Sequence, residues 1–320
     1  EIVPSESPES WQIGEHWQYS PQAIWGDTFI GTEYIFGDSL TAQYISTYNL
    51  STKEKERLLE FDPAEFRIGT PSIYENWIVW CSANISGKAL SEIDWETLNW
   101  DIFLLDRNTG EVRQITDDEY VQTEPRVYGD TIIWLDARHV EGYHNPDVFD
   151  IYAYDLKTNQ ETRLTSSTSV ENNFLNISGN IIVWSDNRHA IKVKTHPGNE
   201  PNYNNEIYAY DLISNKEYRI TDYDGNDHYP AIDGNHIVWL RQFSLNEAEI
   251  FLYDLEKKQE TQISKGRYAA YGPSVSGDVI VWADARISQG NTSGDVVLNG
   301  QSGAAEIYLC TIGNKQETML

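Results

Sequence analysis

Along most of the chain, short runs of β-branched and aromatic residues alternate with Gly, Pro, Asp and Asn, and no stretch spaces its apolar residues at a helical 3.6 period. That pattern predicts many short strands joined by tight turns. The runs repeat one phrase. Residues 176–186 read Asn-Ile-Ser-Gly-Asn-Ile-Ile-Val-Trp-Ser-Asp, and variants of this phrase surround Trp134, Trp239 and Trp282, with a looser one around Trp80. The Trp positions recur about every 50 residues, a spacing that fits one small sheet per repeat.

Each repeat predicts four strands. The first carries Pro-x-x-x-Gly, at 125–129, 230–234 and 273–277, with Pro71 holding the place in the looser copy. A Gly-Asp or Gly-Asn turn then reverses the chain into a second strand, Ile-Ile/Val-Trp, suited to a buried sheet. The third strand begins acidic-Ile-aromatic or a close variant at Asp101, Asp150, Glu206, Glu249 and Glu306, and the fourth ends in Ile115-Thr116, Leu164-Thr165, Ile220-Thr221 and Ile263-Ser264. A degenerate first copy spans 21–59, with Gly31 where Trp stands elsewhere. Six units predict an all-β fold, a six-bladed β-propeller of four-stranded antiparallel blades over residues 11–320, preceded by an extended N-terminal segment over 1–10. Both chain ends resemble a fourth strand, Gln12-Ile13-Gly14 and residues 315–320, so two segments compete for the outer edge of blade six. One solution is an extra strand there, and the other is addition of the N-terminal segment to a neighbouring molecule.

The Trp-Ser-Asp-Asn-Arg phrase at 184–188 and the Asp-Ile-Tyr-x-Tyr-Asp-Leu phrase at 150–156 resemble the blades of TolB-like propellers, whose repeats are called PD40, as found in archaeal and bacterial cell-surface proteins. The resemblance runs from about Trp11 to the end. It implies the propeller fold. It does not single out an activity, because such blades serve periplasmic scaffolds, peptidase gating domains, sugar-acid lyases and surface-layer proteins alike.

Charge narrows the partners. With 50 acidic against 23 basic side chains the formal net charge is -27, which repels nucleic acid and anionic membranes and suits divalent cations or basic partners. No apolar run reaches the ~18 residues of a membrane span. The Pro/Ser/Glu-rich start resembles the spacer that follows a removed signal, so the expected location is extracellular or on the cell surface. Cys81 and Cys310 fall in repeats too far apart for a disulfide and are expected as free, buried thiols.

The longest connections, 82–99, 136–149, 186–205 and 284–305, all join second to third strands and emerge on one face, where binding residues are expected. That face gathers Trp95, Trp100, His139, Tyr143, His144, His189, His196, Tyr203, His228 and Tyr229. Asp136 with Arg138, Asp186 with Arg188 and Asp284 with Arg286 recur after the second strand and read as ion pairs that pin each loop. Asp222, Asp224, Asn226 and Asp227 offer oxygen ligands for calcium, without the Glu that completes a twelve-residue calcium loop. The histidine pairs have no compact zinc spacing, and no nucleophile elbow, phosphate loop or His-Glu-x-x-His is present, so no catalytic residue is nominated. The reading is a non-catalytic extracellular binding or assembly module that takes a protein or glycan at the cell surface. Two alternatives stand beside it. One is a polysaccharide lyase or hydrolase with its site at the channel mouth, and the other is a subunit that polymerises into a surface layer or filament.

Overall fold

Six tight turns set the frame. Each reverses the chain between a first and a second strand with its leading residue in the left-handed region: Gly26, Gly129, Gly179, Gly234 and Gly277 at φ 55–60° and, alone among them, a non-glycine, Glu75 at φ 50°. The carbonyl of the next turn residue then accepts the backbone N–H that opens the following turn. These bonds run from Leu50 to Asp27, Arg107 to Asn76, Leu156 to Asp130, Leu212 to Asn180, Leu255 to Asn235 and Ile312 to Asp278, at 2.7–2.9 Å.

The structure, a computed structural model, describes residues 15–18, 23–36, 39–88, 90–93, 98–139, 149–166, 174–188, 192–193, 202–203, 205–223, 225–244, 247–265, 270–284, 306–314 and 316–319. They form a six-bladed β-propeller of four-stranded antiparallel sheets. Blade three is typical: Gln122–Tyr128, Thr131–Asp136, Asp150–Asp155 and Gln160–Arg163 pair in chain order. In blades one and two the innermost strand comes in two pieces, Glu15–Gln18 with Ile24–Trp25, and Phe66–Ile68 with Ser72–Tyr74.

Second strands read as continuous apolar runs because both of their faces are covered. In blade three, Ile132 and Trp134 pack toward blade two with Val79 and Cys81, while Ile133 and Leu135 pack toward blade four with Ile182 and Trp184. The Trp of each of blades two to six stacks on the aromatic residue of its own third strand, 5.7–6.0 Å between centroids and 19–26° between planes. The result is a separate apolar core in each of the five seams between consecutive blades.

The sixth seam is different. Among the described residues no apolar cluster joins blade six to blade one. Ile24 of blade one is 57% exposed, whereas Ile73, Val127, Ile177, Ile232 and Val275, at the same register, are at most 8% exposed. On the other side Ile307 is 46% exposed, and its five equivalents, Ile45, Ile102, Ile151, Ile207 and Ile250, are at 0%. Sequence explains the asymmetry. Gly31 stands where the other blades carry Trp, and its cross-strand partner is Ser46 rather than an aromatic residue. The same face of blade one holds a buried carboxylate, Glu33, which accepts from Ser46 at 2.9 Å, from Lys55 at 3.0 Å and from Arg57.

Of the two segments expected to compete for blade six's outer edge, one lies among the described residues. Gln316–Met319 supplies the fourth strand of blade six, and Glu15–Gln18 pairs inside blade one with Thr32 to Ile35; Gln12-Ile13-Gly14 and the segment 1–10 lie outside the described residues. Among the described residues each blade is therefore built from one continuous stretch of chain. Cys81 and Cys310 are buried thiols, and burial pushes the Cys81 thiol up to about 11. Among the described residues no helix is long and apolar enough to cross a membrane.

Candidate functional site

The acid-arginine pairs that follow the second strand turn away from the axis. In blade three Asp136 is fully buried and accepts from Trp134 Nε1 at 2.9 Å, from the Arg138 backbone N–H at 2.9 Å and from the Arg138 guanidinium at 2.7 and 3.0 Å. Arg138 then lies over the Tyr152 ring at 4.4 Å and donates to Glu161 on the fourth strand at 2.6 Å. Blade four repeats the set with Trp184, Asp186, Arg188, Tyr208 and Glu217. Arginine thus crosses the blade from its second to its outermost strand. A buried carboxylate satisfied by an indole, a backbone amide and a guanidinium holds the root of the loop and has no lone pair directed at a ligand in the channel.

Two blades carry the device in forms that the Asp-x-Arg pattern hides. In blade five Arg241 occupies the register position of Asp136 and clamps Asp227 of the innermost strand at 2.7 and 2.8 Å, while reaching Glu260 at 2.8 Å and covering Phe251 at 4.2 Å. In blade one Glu33 takes the place of the Asp, and the cation comes from the fourth strand as Arg57. The sequence signal was present in blade five, where Trp239-Leu240-Arg241 replaces Trp-x-Asp and leaves a carboxylate to be found elsewhere. Without an acid two residues on, Trp80 Nε1 and Trp239 Nε1 are buried with no partner among the described residues.

The innermost strands hold a second set of residues. Their pairing slips at proline, between Thr123 and Arg126, His228 and Ala231, and Tyr271 and Ser274. The residue before proline disfavours helical angles, and bulky side chains are rare at positive φ. Yet Glu124 and Tyr229 sit before Pro125 and Pro230 at φ 54° and 58°, and Phe174 sits at φ 76° in blade four. Across the seam between blades four and five the Phe174 and Tyr229 rings meet at 4.0 Å, and the His228 ring lies 4.3 Å from that of Tyr229. Gly272 of blade six adjoins them, and a Cβ there would come within 3.3 Å of Tyr229 Cβ. Burial pushes His228 down to about 4, so the ring is neutral at ordinary pH, and its Nε2 has no partner among the described residues. Glu124 accepts from Arg126 at 2.8 Å, and Arg126 is almost wholly buried where the other blades carry Ser72, Asn176, Ala231 and Ser274. Glu124, Phe174 and Tyr229 form a strained rim along the innermost strands of blades three to five, with His228 beside Tyr229 and Gly272 of blade six at its end.

Of the residues expected on the long-loop face, the structure brings His228 and Tyr229 together. Trp100 instead packs beside Ala83, Ile85, Ile93 and Leu98, a small core inside the long loop of blade two. His139 is exposed, its ring 6.3 Å from Tyr152. Trp95, Tyr143, His144, His189, His196, Asp224 and Arg286 lie outside the described residues, as do the side chains of Tyr203 and Asp284. The calcium reading meets a different geometry. Asp227 has both oxygens on Arg241, Asp222 pairs with Arg219 at 2.6 Å, and the Asn226 oxygen accepts the Asn205 backbone N–H at 3.0 Å. These three do not share a set of free oxygens, and no group of three or more His, Cys, Asp or Glu able to hold a metal occurs among the described residues.

This blade geometry defines a six-bladed β-propeller, similar in fold to the propellers of TolB and of several peptidases. No family model matches the chain, and no curated protein matches its sequence. Solved structures do. The β-propeller domain of the Trilobed protease from Pyrococcus furiosus, which has an open velcro topology, is 15% identical with a TM-score of 0.59, over 92% of this chain and 78% of that one. TolB from Acinetobacter baumannii is 15% identical with a TM-score of 0.53, over 86% and 58%. An acylaminoacyl peptidase from Pyrococcus horikoshii is 14% identical with a TM-score of 0.62, over 95% and 44%. The chain therefore spans less than two thirds of TolB and less than half of the peptidase. At these identities the likeness is one of fold.

Proposed function

We propose that the chain is a non-catalytic binding and assembly module of the cell surface, taking a protein or glycan partner on its long-loop face at the rim of Glu124, Phe174, His228 and Tyr229. One observation carries this reading. Three buried carboxylates near the loop roots, Asp136, Asp186 and Asp227, are held by guanidinium partners, two of them by an indole as well, so these three are poorly suited to proton transfer. What the rim offers is strained aromatic contact surface on a rigid support. The test compares binding with turnover. Purified protein and a Phe174→Ala, Tyr229→Ala double variant are measured for retention on isolated cell-envelope material and for cleavage of uronate-containing polysaccharides. Retention lost in the variant, with no cleavage by either protein, is the expected result. Polysaccharide cleavage by the parent chain would overturn the reading in favour of a lyase or hydrolase.

Self-assembly draws separate support from the apolar residues exposed at the sixth seam, Ile24 and Ile307. Its test is the particle size of the chain with and without residues 1–14.

A further inference from the structure

The opposite face, where the short turns lie, carries an asymmetry that the repeat does not require. The last residue of each innermost strand, just before the turn, occupies one register position in all six blades: Trp25, Tyr74, Tyr128, Ser178, Asp233 and Ser276. Blades one to three place aromatic rings there, and blades four to six place polar groups. The polar half is stitched shut. Ser178 Oγ accepts the Gly234 backbone N–H at 3.0 Å, and Asp233 accepts the Gly277 backbone N–H at 2.7 Å. The aromatic half is an arc. Trp25 and Tyr74 have centroids 6.1 Å apart with planes inclined by 56°, and Tyr74 and Tyr128 are 4.4 Å apart at 41°. Trp25 is 41% exposed, unlike the fully buried tryptophans of the seams.

A second observation falls at the same place. Five of the six turns use glycine at the left-handed position, and the one that does not carries Glu75, next to Tyr74 in the middle of the arc. The strained backbone angle fixes a carboxylate at the middle of the arc. Glu75 is exposed and makes no salt bridge among the described residues, whereas Asp130 beside Tyr128 is paired with Lys157. Burial raises the Tyr74 hydroxyl, and the neighbouring Tyr128, Glu75 and Asp130 raise it further. Tilted aromatic faces with an unpaired carboxylate are the chemistry that recognises an ammonium or guanidinium group, and a chain of net charge -27 draws such groups in.

We propose that the arc of Trp25, Tyr74 and Tyr128, with Glu75 at its centre, is a docking site for the lysine or arginine side chains of a basic peptide segment in a protein partner. It lies on the face opposite the long loops and stands independently of the function proposed for them. Titration calorimetry with a synthetic Gly-Lys-Gly-Arg-Gly-Lys peptide tests it, with the same peptide carrying acetyl-lysine and citrulline as the uncharged control. The expected result is binding of the charged peptide alone, weakened about tenfold or more by Trp25→Ala and about threefold by Glu75→Gln. Glu75→Gln keeps the backbone angle in question, and Trp25 is exposed enough that its removal leaves the blade intact, which the melting temperature checks. Unchanged affinity in Trp25→Ala would mean diffuse attraction to an acidic surface and overturn the site. Equal binding of the uncharged peptide, or binding of neutral oligosaccharides instead, would overturn its cation chemistry.

Discussion

Blade one and blade four are copies of one unit, yet they treat the blade that precedes them in opposite ways. Blade four meets blade three through Trp184, Tyr208, Ile177 and Ile182 and seals the seam. Blade one presents Gly31, Ser46 and the Glu33–Arg57 pair, and Ile24 beside them stays exposed. The difference shows which part of the repeat makes a blade and which part makes a ring. Strand pairing, the left-handed turn and the bond across it persist in blade one, so the sheet forms without the Trp. The apolar core between blades does not persist. Among the described residues no strand is shared between first and last blade, and no apolar cluster fills that join.

The largest expected contrast comes from the buried acids. Asp186→Ala leaves the Trp184 indole and most of the Arg188 guanidinium without their partner inside a filled seam, and an uncompensated buried pair costs about 3–5 kcal/mol. Glu33→Ala does the same in blade one, but Lys55 and Arg57 reach solvent with side chains 33% and 40% exposed, so the expected loss is smaller, about 1–2 kcal/mol. Urea unfolding of both variants decides this, and equal losses would mean that the Glu33 face is as closed in solution as the others. Next comes a pair of equivalent isoleucines. Ile151→Ala in the seam between blades three and four is expected to cost about 2–5 kcal/mol, and Ile307→Ala in blade six about 1 kcal/mol or less, since truncation there leaves no cavity. A large loss at Ile307 would show that something covers it in solution.

How much of this was legible follows from the same contrast. Trp, Ile and the Gly turn recur at fixed spacing because each blade repeats the same packing, so the sheet count and the strand order could be read from spacing alone. Gly31 in place of Trp was visible, and its consequence for the seam was not, because a seam is a property of two blades distant in sequence. Asp136 and Arg138 announce their pairing by adjacency. Asp227 and Arg241 do not, and a carboxylate seen beside Asp222 and Asn226 reads as a cation ligand until the fold brings the guanidinium across. Phe174, Tyr229 and Glu124 carry no signal of left-handed backbone, since their neighbours in sequence are those of an ordinary strand. The arc of Trp25, Tyr74 and Tyr128 was hidden for another reason: the repeat was read for what its copies share, and this position is where they differ.

Acid separates the two kinds of seam more gently. Burial alone would raise Glu33, but the bonds from Arg57, Lys55 and Ser46 outweigh it and hold the carboxyl at about 2. A carboxyl lowered on folding stabilises the native state above its ordinary value near 4.5, and that contribution is lost as pH falls toward 2. His228, pushed down to about 4 by burial, acts at higher pH: the unfolded chain takes up its proton first, so stability falls between about 6.5 and 4. Asp101 works in the opposite direction. Burial raises it to about 6, so its contribution is present below its ordinary value near 3.8 and is lost as pH rises through 6. Denaturation midpoints followed from pH 7 to 2 are expected to lose their fall between 6.5 and 4 in His228→Gln and to flatten below 4.5 in Glu33→Gln. An unchanged profile in Glu33→Gln would mean that this cluster is already broken at neutral pH.

The smallest effect concerns a clamp present in blades two to five. There the dipeptide after the fourth strand grips the third-strand isoleucine from both sides. Leu164 N–H donates to the Ile151 carbonyl at 2.8 Å while Thr165 Oγ1 accepts the Ile151 N–H at 2.9 Å, and the same holds at Ile115-Thr116, Ile220-Thr221 and Ile263-Ser264. Among the described residues no hydroxyl does this for Ile307. Replacing Thr165 with valine keeps the shape and removes the acceptor, leaving one buried N–H unpaired at a cost of about 1 kcal/mol. That loss is close to the scatter of unfolding measurements, so the sharper readout is local. In hydrogen exchange the Ile151 amide should be strongly protected in the parent chain and the Ile307 amide weakly. Thr165→Val should move Ile151 toward Ile307 and leave Ile207, in the next blade, where it was. If Ile151 keeps its protection, the hydroxyl is incidental and the seam itself shields the amide.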